Sequence, residues 1–401
     1  MVIISNWIEI VEKYFMKLKT NIIGLFFISV FIGCGLFESN DNDGASDKVY
    51  VALQGLDQVA IVDVDSGEVD TINIDYSQGS NTPHFIVIDE INRYWFVTTI
   101  SSGYVGCYNL DTDELIDTVL VGDSPALMAL NESSAKLYVS RMMPMGGMMT
   151  GAVSTIINEI DYSNPVDMFS SNEFEVSSPA PHGLAINQEG SEIYVISNTA
   201  DWLYKIIIPE NEETEQIVGV VMDVNSPNIE FSNIEVDRLK PIQCVSVNNS
   251  LLVVTCSAGI TYDLYSGNDT IPGHIQLWDT VTMTLLDTVQ FNWKSKPWHI
   301  INSPVNEEAF VALSGDNLYP RSAGVACLTY ASDTLAINWE TYSEDFEALH
   351  GIDVSADGKN LFVSGRGDGN LHIFHADSGE KIKSISLGHN PSAAGISTVY
   401  K

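Results

Sequence analysis

Pro83-His84-Phe85-Ile86 returns, with substitutions, as Pro125-Ala126-Leu127-Met128, Pro181-His182-Gly183-Leu184, Pro241-Ile242-Gln243-Cys244, Pro297-Trp298-His299-Ile300, Leu349-His350-Gly351-Ile352 and Pro391-Ser392-Ala393-Ala394. Each copy opens a short apolar strand. A turn follows, then a second strand such as Lys136-Leu137-Tyr138-Val139-Ser140, Glu192-Ile193-Tyr194-Val195-Ile196 or Asn360-Leu361-Phe362-Val363-Ser364. Runs of β-branched and aromatic residues bounded by turn formers read as strands. The copies start 42 to 60 residues apart. Four short strands in a unit of roughly 40–50 residues indicate a β-propeller.

The two ends of the chain complement each other. Val49-Tyr50-Val51-Ala52 is a second strand with no first strand before it, and the phrase opened by Pro391 is a first strand with nothing after it. A ring must pair its ends or leave sheet edges open. The expectation is an all-β, seven-bladed propeller over residues 48–401, closed by a C-terminal strand that completes the first blade.

Composition narrows the function classes. The chain has 401 residues, is 45% hydrophobic and carries a net charge of −35. Nucleic acid or an anionic membrane surface would require a basic face, so neither is an expected partner. The charge is spread over turns and loops and reads as a solubilising surface. Turns such as Asp65-Ser66-Gly67-Glu68, Asp111-Thr112-Asp113-Glu114 and Asp377-Ser378-Gly379-Glu380 recur between late strands. Their acids are read as turn caps, because the spacing of a calcium loop is missing.

The N-terminal region has an export pattern. Met16-Lys17-Leu18-Lys19 is basic, residues 21–33 are a short apolar run, and Phe31-Ile32-Gly33 precedes Cys34. Such a run is a secretory signal and is too short to span a bilayer. A cysteine at this point resembles the lipobox of bacterial lipoproteins. The resemblance implies lipidation of Cys34 and residence in the cell envelope, in the outer membrane and facing the periplasm or the cell surface. Residues 1–15 are read as a misassigned extension, 16–33 as the signal peptide and 34–47 as an acidic tether.

The repeats resemble the YVTN β-propeller family, which includes YncE-like periplasmic proteins. The resemblance covers about residues 49–400. It implies the fold, whereas function must be argued from a site. In a propeller the first strands line the central channel, so the residue after each opening position lies near one mouth. Around the ring these residues are His84, Ala126, His182, Ile242, Trp298, His350 and Ser392, with His299 displaced by one. Long loops at the same face carry Tyr262, Asp263 and Tyr265, then Asp316, Tyr319 and Arg321, then Arg366 and Asp368. Long loops on a rigid scaffold are where binding concentrates, and Tyr, Trp and Arg are common anchors. The leading expectation is a binding protein for a protein, glycan or small-molecule ligand.

Two alternatives stand beside it. Met142, Met143, Met145, Met148 and Met149 lie in one loop at this face. Thioether and imidazole together suit copper, so His84, His182, His350 and the methionines form a candidate metal set. The combination resembles the methionine-rich motifs of copper-handling proteins; the methionines also suit an adaptable contact surface. A lactonase-like hydrolase would use His182, His350, Arg366 and Asp368. No nucleophile elbow, phosphate loop or HExxH motif is present. Cys244 and Cys256 lie on paired strands and read either as a cross-strand disulfide or as two buried thiols.

Overall fold

The computed structural model describes residues 46–142, 154–178, 180–198, 200–208, 216–222, 239–263 and 267–401, without the side chains of 259–269. Among them are seven four-stranded antiparallel sheets, the blades of the propeller expected from the repeats. Blade 2 runs Pro83–Asp89, Tyr94–Thr99, Tyr104–Asn109 and Leu115–Leu120 from the channel outward. Blades 3 to 7 repeat this order from inner strands Pro125–Asn131, Pro181–Ile186, Pro241–Asn248, Pro297–Asn302 and Leu349–Val354. Blade 1 is composite. Its Asp47–Leu53, Gln58–Asp63 and Val69–Asn73 are completed on the inside by Ala393–Tyr400.

The apolar residues form seven clusters, each shared between neighbouring blades. Tyr50, Val59, Ile86 and Trp95 join blades 1 and 2, for example, and Val49, Val51, Phe362 and Ile373 join blades 7 and 1. Each second strand is therefore covered on both faces, which is why it reads as a nearly continuous apolar run; Leu251–Cys256 is buried throughout. Outer strands such as Leu115–Leu120 have mostly exposed or half-buried residues.

One local conformation repeats at every blade entry. The residue before the inner strand is left-handed without being glycine: Thr82, Ser124, Ala180, Lys240, Lys296, Ala348 and Ser392, with φ between 47° and 55°. Such residues cost about 1–3 kcal/mol each and persist only where their surroundings fix them. Here each carbonyl accepts from the first N–H beyond the second strand, in the order Ile100, Met142, Asn198, Ser257, Ser314, Arg366 and Gln54, at 2.9–3.3 Å. This identifies the true start of the closing strand. Ser392, not Asn390, is equivalent to Thr82, and Ala393 pairs with Leu53 as Pro83 pairs with Thr99. The mouth position of blade 1 is thus Ala394 rather than Ser392.

A bulge follows each entry and releases an inner-strand amide from the sheet ladder. In four blades a hydroxyl on the second strand takes that amide and donates onward to the next blade. Phe85, Leu127, Gln243 and Gly351 N–H donate to Thr98, Ser140, Thr255 and Ser364 at 2.8–3.2 Å. The same hydroxyls donate to the carbonyls of Ala126, His182, Trp298 and Ala394 at 2.5–2.8 Å. A hydroxyl can do both at once. At Gly351 the backbones meet so closely that a Cβ would lie 2.4 Å from the Ala394 carbonyl oxygen.

Three details differ from the sequence expectations. Ser46 and Asp47, assigned to the tether, already belong to blade 1: Ser46 exchanges backbone hydrogen bonds with Lys401 at 3.1 Å, and Asp47 begins the strand. Two turn caps come from side chains two positions upstream of those expected. Asp63 accepts from Ser66 N–H at 2.7 Å, and Asn109 from Asp111 and Thr112 N–H at 2.9 Å each. The register sets Cys256 opposite Pro241 and Cys244 opposite Val254. The offset rules out the cross-strand disulfide, and both residues are free, buried thiols, as are Cys107 and Cys327.

The relay makes a stability prediction. Thr255→Val keeps the shape but leaves the Trp298 carbonyl and the Gln243 N–H unpaired in the interior. It is expected to cost about 1–3 kcal/mol, measured as a lowered midpoint in urea with an unchanged slope. A neutral outcome would show that the relay is dispensable.

Candidate functional site

The bulged inner strands deliver four histidines to one level of the channel. His84, His182, His299 and His350 come from blades 2, 4, 6 and 7, and none is more than 7% exposed. The ring of His84 lies 6.4 Å from that of His182 and 5.5 Å from that of His350. His299 and His350 are 4.5 Å apart, with Trp298 at 5.7 Å from His350 and Phe85 at 5.7 Å from His299. These rings fill the channel below the mouth.

Their electrostatics follow from burial, which disfavours the charged imidazolium. Desolvation, then His182 and Arg366, pushes His84 down to about 3. His299 and His350 are also held well below the ordinary histidine value by burial and by neighbouring imidazoles. His182 is lowered by burial, with the Ile242 carbonyl opposing the shift. That carbonyl lies 2.6 Å from His182 Nδ1 and links blades 4 and 5, where the second strand has Ile196 in place of the relay hydroxyl. His84 Nε2, His299 Nε2, His350 Nδ1 and Trp298 Nε1 are buried with no hydrogen-bond partner among the described residues.

Above the rings is a cavity of about 560 Å³ that opens at the mouth. Blade 2 supplies most of its wall through Thr82, His84 and the turn Ser101-Ser102-Gly103, blade 3 adds Asp123, Ser124 and Met142, blade 1 adds Gln54 and blade 7 adds Arg366. Gln54, Met142 and Arg366 arrive by the same route, since each is the residue whose N–H closes an entry turn. Gln54 Nε2 lies 2.6 Å from His84 Nδ1.

The structure brings together only some of the residues selected from sequence. His84 and Arg366 share the cavity, and Met142 reaches its wall. Met143, Met145, Met148, Met149 and Tyr265 lie outside the described residues, as does Cys34. Tyr262 and Asp263 lie on the hairpin strand Gly259–Asp263, which pairs with Gly267–Ile271. Tyr319 is engaged by its neighbours: Lys294 Nζ sits 3.9 Å from its ring centre and Trp293 packs edge-on at 5.2 Å. Arg321 pairs with Glu344 at 2.9 Å, and Asp316 with Lys296 at 2.8 Å. Asp368 holds its own loop, accepting from Glu347 N–H at 2.9 Å and Asn370 N–H at 3.0 Å and contacting His372 at 3.1 Å. It does not line the mouth cavity, so the hydrolase set of His182, His350, Arg366 and Asp368 does not converge there. No group of three His, Cys, Asp or Glu is placed to hold a metal ion among the described residues. Gln54, Ser101 and Ser124 escaped sequence reading, although the residue after each second strand is a position the repeat itself marks.

No protein-family model matches the chain, and no curated protein matches it. Solved structures do. A putative 6-phosphogluconolactonase from Bacteroides fragilis is 13% identical over 90% of this chain and 100% of its own, with a TM-score of 0.65. One from Bacteroides uniformis is 13% identical over 89% and 100%, with a TM-score of 0.64. Apo AztD from Citrobacter koseri is 14% identical over 89% and 98%, with a TM-score of 0.55. At these identities the likeness establishes a shared propeller fold and carries no activity across.

The buried rings predict how stability responds to acid. Unfolded histidine titrates near 6.5, so below that pH the unfolded chain binds protons that the native channel refuses. Stability is therefore lost as pH falls from about 6.5 toward the folded values, and at pH 5 His84 alone costs about 2 kcal/mol. Asp353 acts in the opposite direction. Desolvation raises its carboxyl to about 7 against backbone hydrogen bonds from Val354 and Thr398, so its contribution is present in acid and lost as pH rises through 7. The melting temperature is expected to fall between pH 7 and pH 5, less in His84→Gln and more steeply in Asp353→Asn. A flat wild-type profile would show that the imidazoles are not buried as neutral groups.

Proposed function

We propose that this chain is an exported, lipid-anchored propeller of the YVTN type that binds a ligand or a partner protein through its channel mouth. The observation that carries the reading is the cavity of about 560 Å³, open to one face and lined by side chains from four blades. Concave sites of about 300–1,000 Å³ with a few converging polar groups are the usual form of a small-molecule pocket. The seven repeats support the family resemblance, and the sequence Phe31-Ile32-Gly33-Cys34 supports lipidation at Cys34.

Two measurements test this reading. Cys34→Ala should abolish incorporation of labelled fatty acid and release the protein from the membrane fraction; label retained in the variant would remove the anchor. Ser102→Trp should fill the cavity, so a thermal-shift screen of polar metabolites should give hits with the wild type that this variant loses. Hits unaffected by the substitution would place binding elsewhere.

A second reading, copper handling, is favoured by one observation. His299 Nε2 and His350 Nδ1 lack partners among the described residues, and their rings are 4.5 Å apart. Neutral imidazoles of this kind suit copper. This reading expects stoichiometric Cu(I) that is lost in His299→Ala/His350→Ala. Copper at background levels leaves the rings as channel packing.

A further inference from the structure

We propose that blade 7 carries a serine acyl-transfer site on its outer edge, with Ser384 as nucleophile, His372 as general base and Asp368 as the group that orients the base. The site is separate from the channel mouth, and its substrate class is a carboxylic ester.

The three side chains form a series of hydrogen bonds. Ser384 Oγ lies 2.9 Å from His372 Nδ1, and His372 Nε2 lies 3.1 and 3.2 Å from the two carboxylate oxygens of Asp368. The backbone sets this up. His372, on the third strand Asn370–His375, stands directly opposite Ser384, on the outermost strand Lys381–Ser386. Leu387 N–H donates to the Gly369 carbonyl at 2.9 Å, and hydrogen-bonded and non-hydrogen-bonded pairs alternate from there. His372 and Ser384 are therefore a non-hydrogen-bonded pair, the kind that brings opposed side chains closest. Asp368 sits in the short loop before the third strand, where it accepts from Glu347 N–H at 2.9 Å and Asn370 N–H at 3.0 Å.

The proton positions follow from donor chemistry. Burial pushes the Asp368 carboxyl up, but hydrogen bonds from His372, Glu347 and Asn370 outweigh it and hold the group below the usual carboxylate range. An ionised carboxylate can only accept. His372 Nε2 therefore donates to it, and Nδ1 of the neutral ring accepts from the Ser384 hydroxyl. This is the arrangement in which an imidazole removes a serine proton, recognised by geometry and roles rather than by position in the chain. Either ring nitrogen serves as the base once a carboxylate holds the other.

Exposure is graded along the series. The His372 side chain is 1% exposed, beneath the Phe346 ring at 4.9 Å, and Asp368 is 11% exposed. Ser384 is exposed. Water is kept from the base and its partner, while the hydroxyl is open to a substrate. Because its pair with His372 is non-hydrogen-bonded, the Ser384 N–H points outward from the edge of the blade, where it can donate to a developing oxyanion.

The chemistry balances without a cofactor. Ser384 Oγ attacks the ester carbonyl carbon as its proton passes to His372 Nδ1, and Asp368 stabilises the imidazolium. Collapse of the tetrahedral adduct breaks the ester C–O bond, and the leaving alkoxide takes the proton from His372. Water, deprotonated by the same nitrogen, then releases the carboxylic acid and restores Ser384.

The test is covalent. Full-length protein in detergent is treated with a tagged fluorophosphonate and, separately, with p-nitrophenyl acetate, and the modified residue is mapped by peptide mass spectrometry. Ser384 is expected to label at least ten-fold faster than Ser386, which is also exposed on the same strand. p-Nitrophenol is expected either as a burst of one equivalent per protein or in continuing turnover. Ser384→Ala should remove label and release in a protein that keeps its circular dichroism spectrum, and His372→Gln should slow both ten-fold or more. Label shared equally by Ser384 and Ser386, label without release, release that survives Ser384→Ala, rates untouched by His372→Gln, or neither label nor release would each overturn the proposal.

Discussion

Everything at the mouth depends on one strained residue repeated seven times. The left-handed conformation at Thr82 and its six equivalents turns the chain sharply into the channel, and a hydrogen bond from beyond the second strand holds it there. A non-glycine residue in this region carries an energetic cost, which the interblade cores and backbone bonds offset. Two consequences follow from the geometry. The residue after the opening position enters the channel, which is how His84, His182, Trp298 and His350 meet. The residue after the second strand is brought over the mouth, which is how Gln54, Met142 and Arg366 come to line one cavity.

The blades are joined by polar contacts as well as apolar ones. Where the second strand offers Ser or Thr, a hydroxyl carries a hydrogen bond across to the next inner strand. Where it offers Ile196, an imidazole takes over, from His182 to the Ile242 carbonyl. At the closure between blades 1 and 2, Lys401 Nζ reaches the Tyr50 hydroxyl and the Leu110 carbonyl at 2.6 Å each. His182 therefore contributes to the scaffold, and His84 keeps one nitrogen on Gln54 while the other is buried without a partner among the described residues.

The repeat, the number of blades and the mode of closure were legible in the sequence, because a period of apolar strands is a global pattern that single substitutions do not erase. The closing strand was nevertheless placed two residues early. Pro391 imitates the opening proline, but the left-handed backbone at Ser392 marks the entry, and residue type does not reveal φ there. The gathering of histidines was legible because the repeat aligns them. Their individual partners were not, since His84 meets Gln54, from another blade and 30 residues away, and His182 meets the Ile242 carbonyl. Tyr319 and Arg321 were selected for residue type; their engagement by Lys294 and Glu344 depends on loop packing.

The central claim is that burial in the channel, beside His182 and in contact with Gln54, holds His84 as a neutral imidazole. Nitrogen-15 NMR of histidine-labelled protein reads this directly. The account predicts that His84 is neutral at pH 5, because its folded value is pushed down to about 3. A resonance showing an imidazolium at pH 5 would contradict it.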